Sequence, residues 1–341
     1  PTIRPIRARV WAWERADAIE AAFFRRRIDA AVARRSALIP DAQAGALRLV
    51  HGEADGLPGV VADRYADTVV VQLSAAGAER WRDAIAEALA AATGCARLYE
   101  RSDLETRKLE GLAPRTGALV GPAPSAPVEI REHGVRHLVD VVGGQKTGFF
   151  LDQRDSRARV RALARDRAVL DCFAYSGGFT LAALAGGARS VLAVESSAPA
   201  LALARESLAL NGLDRARAEW LGADVFKTLR TLRDQGRRFD LVVLDPPKFA
   251  PTAAHAERAA RAYKDVNLWA LRLLAPGGLL ATFSCSGGIG AELFQKIVAG
   301  AAQDAGADAQ ILDRLQAAPD HPVLLSFPEG EYLKGLLLRR V

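Results

Sequence analysis

The sequence predicts an α/β protein in which a doubly wound, mostly parallel sheet fills the C-terminal part and a smaller α/β domain precedes it. Two observations point there. From about residue 135, short Val/Leu-rich runs alternate with helix-length periodic segments. Near-continuous apolar strands between helices indicate a parallel sheet covered on both faces. Earlier in the chain, the runs LRLV, GVVADR and TVVVQL are broken by Gly52, Gly56, Pro58 and Gly59, the pattern of hairpins in a small sheet.

Taken in order, residues 6–13 alternate and read as a short strand, and 18–33 as a helix with an arginine-rich face. The hairpins span 47–73, an alanine-rich amphipathic helix covers 78–92, and 98–100 form a further strand. The stretch 111–127 is rich in Pro, Gly and Ser, which marks a domain boundary or a surface excursion. Strands then follow over 169–174, 191–195, 217–221, 241–245 and 279–285. Helices fall over 179–184, 199–211, 225–235, 254–274 and 291–305, and 335–340 (GLLLRR) closes the sheet as an edge strand. Right-handed crossovers place the functional loops at the carboxyl ends of these strands.

Composition narrows the function. The chain has 341 residues, 50% hydrophobic and 25% charged, with 46 Lys+Arg against 40 Asp+Glu. No apolar run is long enough to cross a bilayer, and the arginine-rich opening does not read as the apolar core of a signal peptide. Cys95, Cys172 and Cys285 lie far apart with no CxxC pair, which argues against a disulfide scaffold and a zinc ribbon and favours a reducing cytoplasm. Residues 1–36 hold nine arginines against four acids, whereas the remainder is nearly balanced. A basic leading segment suits a polyanion such as nucleic acid. His133 and His137 stand four apart without a third ligand, so no metal is expected.

The first strand of the parallel sheet runs into VLDCFAYSGGFTLAAL. A strand opening through Gly177 and Gly178 into a helix lets backbone approach a ligand closely. The pattern is not GxGxxG: Phe173 and Tyr175 stand where a dinucleotide fingerprint needs glycine, which argues against NAD. Glu195 closes the second strand, where a carboxylate can accept both hydroxyls of a ribose, and Asp224 closes the third, where it can accept from an adenine amino group or orient a loop. With Asp171 for an amine, the three acids suit S-adenosylmethionine better than NAD. Singly, each could instead be a helix N-cap.

The fourth strand ends in LDPPKF. Two prolines stiffen the loop after Asp245, so that Phe249 can stack on a flat base and Lys248 can meet a phosphate. The fifth ends in FSCSGG, and Cys285 sits where that strand opens. A thiolate there has a use: addition to C6 of a pyrimidine makes C5 enamine-like, able to take a methyl group, after which loss of the C5 proton expels the sulfur. Asp245, Lys248 or a water could accept that proton. Methylation of an exocyclic amine would need no thiol. Uracil-C5 methylation uses the same logic, and a lapsed, RNA-binding enzyme is a further alternative.

The chain resembles the RlmI-type 23S ribosomal RNA (cytosine-C5) methyltransferases in IRARVW, GEADGLPG, YERSD, RKLEG, GQKTGFFLDQRDSR, DCFAYSGGFT, ALNGLD, LDPPKF, YKDVN, FSCSG, DHPV and PEGEYLKG. The resemblance implies a class I, Rossmann-like methyltransferase domain with an antiparallel last strand over 128–341. It implies a central α/β domain over 14–127, and in 1–13 the remnant of an N-terminal PUA-like domain. If that domain is missing, the arginines of residues 4–35 would take more of the phosphate contact. The resemblance also implies Cys285 as nucleophile, with Asp245 and Lys248 beside it. A site for S-adenosylmethionine (product S-adenosylhomocysteine) would be formed by Asp171, Phe173, Tyr175, Ser176, Gly177, Gly178, Glu195, Asp224, Val225, Asp245 and Pro246. Lys146, Phe149, Phe150, Gln153, Arg154, Phe249 and Tyr263 would face the RNA, and His321 would help shape the site. The expected partner is 23S rRNA or a large-subunit precursor, with a homodimer possible, no membrane and no metal.

Overall fold

The computed structural model describes residues 8–39, 45–103, 105–249 and 256–341. Its chain divides into two compact units, residues 1–152 with 318–330, and residues 153–317 with 331–341. The division falls at Asp152, well beyond the Pro/Gly/Ser-rich stretch. That stretch contains an ordered strand rather than a linker, because its backbone pairs with the preceding strand along one edge of a sheet.

In the first unit, helix α1 (Ala21–Leu38) leads to strands β1 (Ala46–His51), β2 (Val60–Tyr65) and β3 (Thr68–Leu73). Then come α2 (Ala76–Arg80), α3 (Arg82–Thr93), β4 (Arg97–Ser102), α4 (Thr106–Leu109) and β5 (Arg115–Val120), and a separate hairpin of β6 (Val128–Glu132) and β7 (Val135–Val139). The five-stranded sheet runs β1-β2-β3-β4-β5, antiparallel except for the β3/β4 pair. The expected 47–73 hairpins are β1 to β3, turned by glycines at positive φ: Gly52, Gly56 and Gly59. The helix expected over 78–92 is broken at Trp81, which packs tilted on Phe24 at 5.3 Å.

One expectation for the N-terminal segment needs correction. Residues 8–13 form no strand, while 1–7 lie outside the described residues. Trp11 instead packs edge-on against Phe24 at 5.3 Å, and Arg9 pairs with Glu53 and Glu110. Of the leading arginines among the described residues, Arg15, Arg25, Arg26 and Arg34 are exposed, while Arg9, Arg27 and Arg35 are engaged within the protein. Arg35 is 2% exposed and bonds Asp55 at 2.5 Å; Arg34 also reaches Asp55, and Arg27 covers the Phe23 ring. A buried charge must be paired to be tolerated, so Arg35 is a structural residue. Arg25, Arg26 and Arg34 keep half or more of their side chains exposed.

The second unit is built as α5 (Arg154–Leu163), β8 (Ala168–Cys172), α6 (Gly178–Ala185), β9 (Ser190–Glu195), α7 (Ala198–Leu210) and β10 (Ala218–Gly222). It continues with α8 (Val225–Asp234), β11 (Phe239–Leu244), α9 (Ala256–Leu273), β12 (Leu274–Ser284), α10 (Ala291–Ala305), β13 (Ala309–Leu315) and β14 (Lys334–Arg340). Of the helix expected over 254–274, positions 254–255 lie outside the described residues. The seven-stranded sheet runs β10-β9-β8-β11-β12-β14-β13; the first five strands are parallel and β14 is antiparallel to both its neighbours. The last strand is therefore not an edge. It inserts between β12 and β13, which explains its continuous apolar run: Leu336, Leu337 and Leu338 are all buried. The edge is β13, whose Ile311 and Leu312 are 40% and 48% exposed.

Strand order reverses between β8 and β11, and crevices for ligands open at the carboxyl ends of strands at such a switch. The core beneath is apolar, with Leu170, Cys172, Val242, Leu244, Tyr263, Val266, Leu280 and Phe294 buried together.

Candidate active site

All of the following lies in the second unit unless stated. β8 delivers Asp171 and Cys172 to the sheet's upper end. The loop beyond them holds Phe173 (φ 63), Tyr175 (φ 48) and Gly177 (φ 78) in the left-handed region. Two side-chain-bearing residues in that conformation cost on the order of 1 kcal/mol each, strain of the kind found at functional loops. Backbone bonds to β9 hold them there: the N–H groups of Phe173 and Ala174 both donate to the Val194 carbonyl, at 2.9 and 3.1 Å. Gly177 has a steric reason besides its φ, since a Cβ would come 2.9 Å from the Ala204 Cβ and 3.2 Å from the Trp220 ring.

Glu195 pins this loop. One carboxylate oxygen accepts the Tyr175 N–H at 2.9 Å, the other the Ser197 N–H at 2.8 Å and the Ser196 hydroxyl at 3.2 Å. Lone pairs remain for a ligand's hydroxyls, although the carboxylate's first duty is to the loop. Asp224 takes the N-cap role: its side chain accepts the Lys227 N–H at 2.9 Å from an exposed position before Val225. Asp171 is 1% exposed, and one of its oxygens accepts the Thr180 hydroxyl at 2.6 Å. Burial pushes its pKa up to about 7, against the pull of the Thr180 hydrogen bonds, and the nearby Glu195 adds to the rise.

The other Asp171 oxygen and the hydroxyl of Ser176 are buried with no hydrogen-bond partner among the described residues. Buried polar atoms are nearly always satisfied, so these await a ligand or water. A small molecule with an ammonium and hydroxyls fits this set. Among the described residues no group of acids, histidines and cysteines could hold a metal ion.

Around the other half of the switch point, the Asp245 N–H bonds the Cys172 carbonyl at 3.4 Å, tying the LDPPKF loop to β8. Asp245 is half-buried, Pro246 buried and Lys248 exposed. Phe249 is half-buried and lies in an aromatic cluster, with ring centroids 4.9 Å from Tyr263, 5.9 Å from Phe226 and 6.5 Å from Phe173. Tyr263 is fully buried, a place from which it supports the loops rather than faces RNA, contrary to the expectation for it. Its hydroxyl meets the Ser286 hydroxyl at 2.9 Å. Burial raises its pKa, aided by Cys285, while bonds from Ser284, Ser286 and the Phe249 backbone oppose the rise.

Cys285 follows the end of β12 and is half-buried. The turn after it is fixed by the Ser286 carbonyl, which accepts the Ile289 N–H at 3.1 Å and the Lys334 ammonium at 2.9 Å. Of the other cysteines, Cys172 is fully buried, its thiol pKa driven well up by burial, and Cys95 is half-buried in the first unit. Cys285, Lys248, Phe249, Tyr263 and Lys334 thus converge. No sequence motif assigns a role to Lys334, Ser286 or Thr180. Lys334 was visible only as a lysine inside an apolar strand, in a chain with seven lysines.

The remaining expected RNA contacts divide between the units. Gln153 and Arg154 open the second unit, both buried. Lys146, Phe149 and Phe150 belong to the first. There Lys146 lies 4.9 Å over the Phe150 ring, and Phe149 is buried against His137 at 5.1 Å. His321 also belongs to the first unit: its ring bonds Asp320 at 3.0 Å and faces His51 at 5.3 Å. Asp320 in turn accepts the Arg48 N–H at 2.9 Å, so the DHPV motif anchors the returning segment 318–330.

Residues 114–339 match the family of S-adenosylmethionine-dependent methyltransferases. A ribosomal RNA large subunit methyltransferase I from Shewanella denitrificans is 50% identical over 335 residues, covering 98% of this chain and 84% of its own. A relative of the same name from Klebsiella pneumoniae strain 342 is 50% identical over 334 residues, with the same coverage. Among solved structures, a putative methyltransferase from Streptococcus mutans superposes with a TM-score of 0.84 at 23% identity, covering 95% of this chain and 83% of its own. A putative methyltransferase solved with SAH gives the same values, and one from Agrobacterium tumefaciens gives a TM-score of 0.61 at 18% identity, with coverages of 87% and 90%.

Proposed function

Since the chain belongs to the S-adenosylmethionine-dependent methyltransferases, and within them to the ribosomal RNA large subunit methyltransferase I proteins, we propose that it forms 5-methylcytosine in 23S rRNA through a covalent adduct of Cys285. The observation that carries this reading is the position of that cysteine: half-buried, just past the end of β12, in the unit whose switch point holds the strained glycine-pair loop. S-adenosylmethionine, when bound, supplies the methyl group that ends on C5, and departs as S-adenosylhomocysteine. Asp171, Ser176 and Glu195 are the residues to hold it, with orphaned acceptors on Asp171 and Ser176.

The protein's own part follows from its side chains. The target base is extruded, because C6 of a stacked pyrimidine is out of a thiol's reach. The Cys285 thiolate adds to C6, which makes C5 nucleophilic; loss of the C5 proton then restores the ring and breaks the S–C6 bond. Asp245 is the better proton acceptor, since a carboxylate has lone pairs and the Lys248 ammonium has none. The rigid LDPPKF loop holds both. A free thiol nucleophile suits the reducing cytoplasm.

Nucleoside mass analysis of 23S rRNA incubated with the protein and S-adenosylmethionine tests this. The reading expects 5-methylcytidine, formed by the wild type and not by Cys285→Ala. A 5-methyluridine product would assign the same chemistry to the other pyrimidine, and an N-methylated product would remove the need for the thiol.

A further inference from the structure

Lys334 is 7% exposed, yet its ammonium has no carboxylate within ion-pair distance among the described residues. It donates to two neutral acceptors, the Ser286 carbonyl at 2.9 Å and the Tyr332 carbonyl at 2.7 Å. Burying an ammonium against carbonyls alone is costly, and such charges persist where an anion stands close by. The strand register places an ionisable thiol beside it: Lys334 pairs across β14/β12 with Ser284, next to Cys285, and its ammonium is bonded to the residue on the far side of that cysteine. Gly335 lets β14 come this near, because a Cβ there would lie 2.7 Å from the Phe283 ring.

We propose that Lys334 is the cationic partner of the Cys285 thiolate, a positioning residue that stabilises the sulfur as an anion both before it attacks and when it is expelled. The proposal rests on Cys285 being the nucleophile. A cation beside a cysteine lowers its ionisation from the usual value of about 8.5. Burial lowers the ammonium's pKa, while Cys285 and Glu331 push it up and Lys248 pushes it down. The groups facing the pair are thus Glu331, Lys248 and the Tyr263 hydroxyl. Lys248 is exposed and screened by water, so the buried Lys334 dominates.

The test is the pH profile of iodoacetamide alkylation at Cys285 in the folded protein, followed by peptide mass mapping. The wild-type half-point is expected below about 8.5. In Lys334→Gln it should rise by about one pH unit, a roughly tenfold loss of alkylation rate at pH 7, and Lys334→Arg should restore most of it. An unchanged profile in a Lys334→Gln protein that still binds S-adenosylhomocysteine overturns the pairing. If that variant does not fold, a wild-type half-point at or above the ordinary thiol value overturns it equally. Methyl transfer by Cys285→Ala, measured alongside, reports on the nucleophile alone, so loss of one assignment is distinguishable from loss of the other.

Discussion

Two cysteines stand at the upper ends of strands two places apart in one sheet, and only one of them is accessible. Cys172 is the last residue of β8; register sets it level with Leu244 of β11, which is level with Thr282 of β12. Cys285 therefore lies three residues beyond the level of Cys172, about 10 Å at the rise of a strand. That height separates a fully buried thiol, with its pKa pushed well up, from a half-buried one in electrostatic contact with Lys334. Chemistry here is decided by how far a strand carries its side chain and what charge meets it, since residue type is the same.

The sharpest way to break the comparison is to remove each sulfur. Cys285→Ala should lose methyl transfer by about a thousandfold or more while still binding S-adenosylhomocysteine in a calorimetric titration. Cys172→Ala should keep most of its activity and cost about 1 kcal/mol of stability in urea unfolding, as expected for a small core deletion. The reverse pattern would exchange their roles.

Asp171, beside Cys172, sharpens the contrast through pH. Its folded pKa of about 7 lies above the ordinary value of 3.8, so its contribution to stability is full below about pH 4 and is lost as pH climbs through 7. Asp171→Asn should flatten that decline, with a gain at pH 8 of up to about 4 kcal/mol in denaturant titration. A parallel pH dependence in the two proteins would show that Asp171 is not the source.

Glu195→Gln removes one of the two acceptors that hold Tyr175 and Ser197. Affinity for S-adenosylhomocysteine should fall roughly tenfold to a hundredfold, with the fold intact by circular dichroism. The smallest effect is expected beneath Cys285: Tyr263→Phe deletes the bond to Ser286 and should cost about 1 kcal/mol, with alkylation of Cys285 nearly unchanged.

What the sequence showed of this arrangement follows its physics. The inner parallel strands β8, β9, β11 and β12 were legible because strands buried on both faces read as unbroken apolar runs, and their observed limits differ from those expected by a few residues. The run in β14 has the same mark of two-sided burial, yet its place at the chain's end suggested an edge. β13 escaped notice because an edge strand exposes half its side chains and carries charges such as Asp313 and Arg314. The acids at the strand ends were found, but the division of their work was not: whether a carboxylate caps a helix, as Asp224 does, or pins a loop, as Glu195 does, depends on backbone N–H groups brought there by the fold. Lys334 was illegible for a simpler reason, since lysine is among the residues least expected inside. The same holds for Arg35, which composition counted toward a basic surface and folding gave to Asp55.

The most direct test of the central claim is to incubate the protein with S-adenosylmethionine and 5-fluorocytidine-substituted 23S rRNA, in which fluorine at C5 prevents release of the sulfur, and to map the protein residue attached to RNA. A covalent complex on the peptide bearing Cys285, retained in Cys172→Ala and absent in Cys285→Ala, is the predicted result. Attachment at another residue, or methylation of ordinary RNA with no complex formed on the fluorinated one, would contradict it.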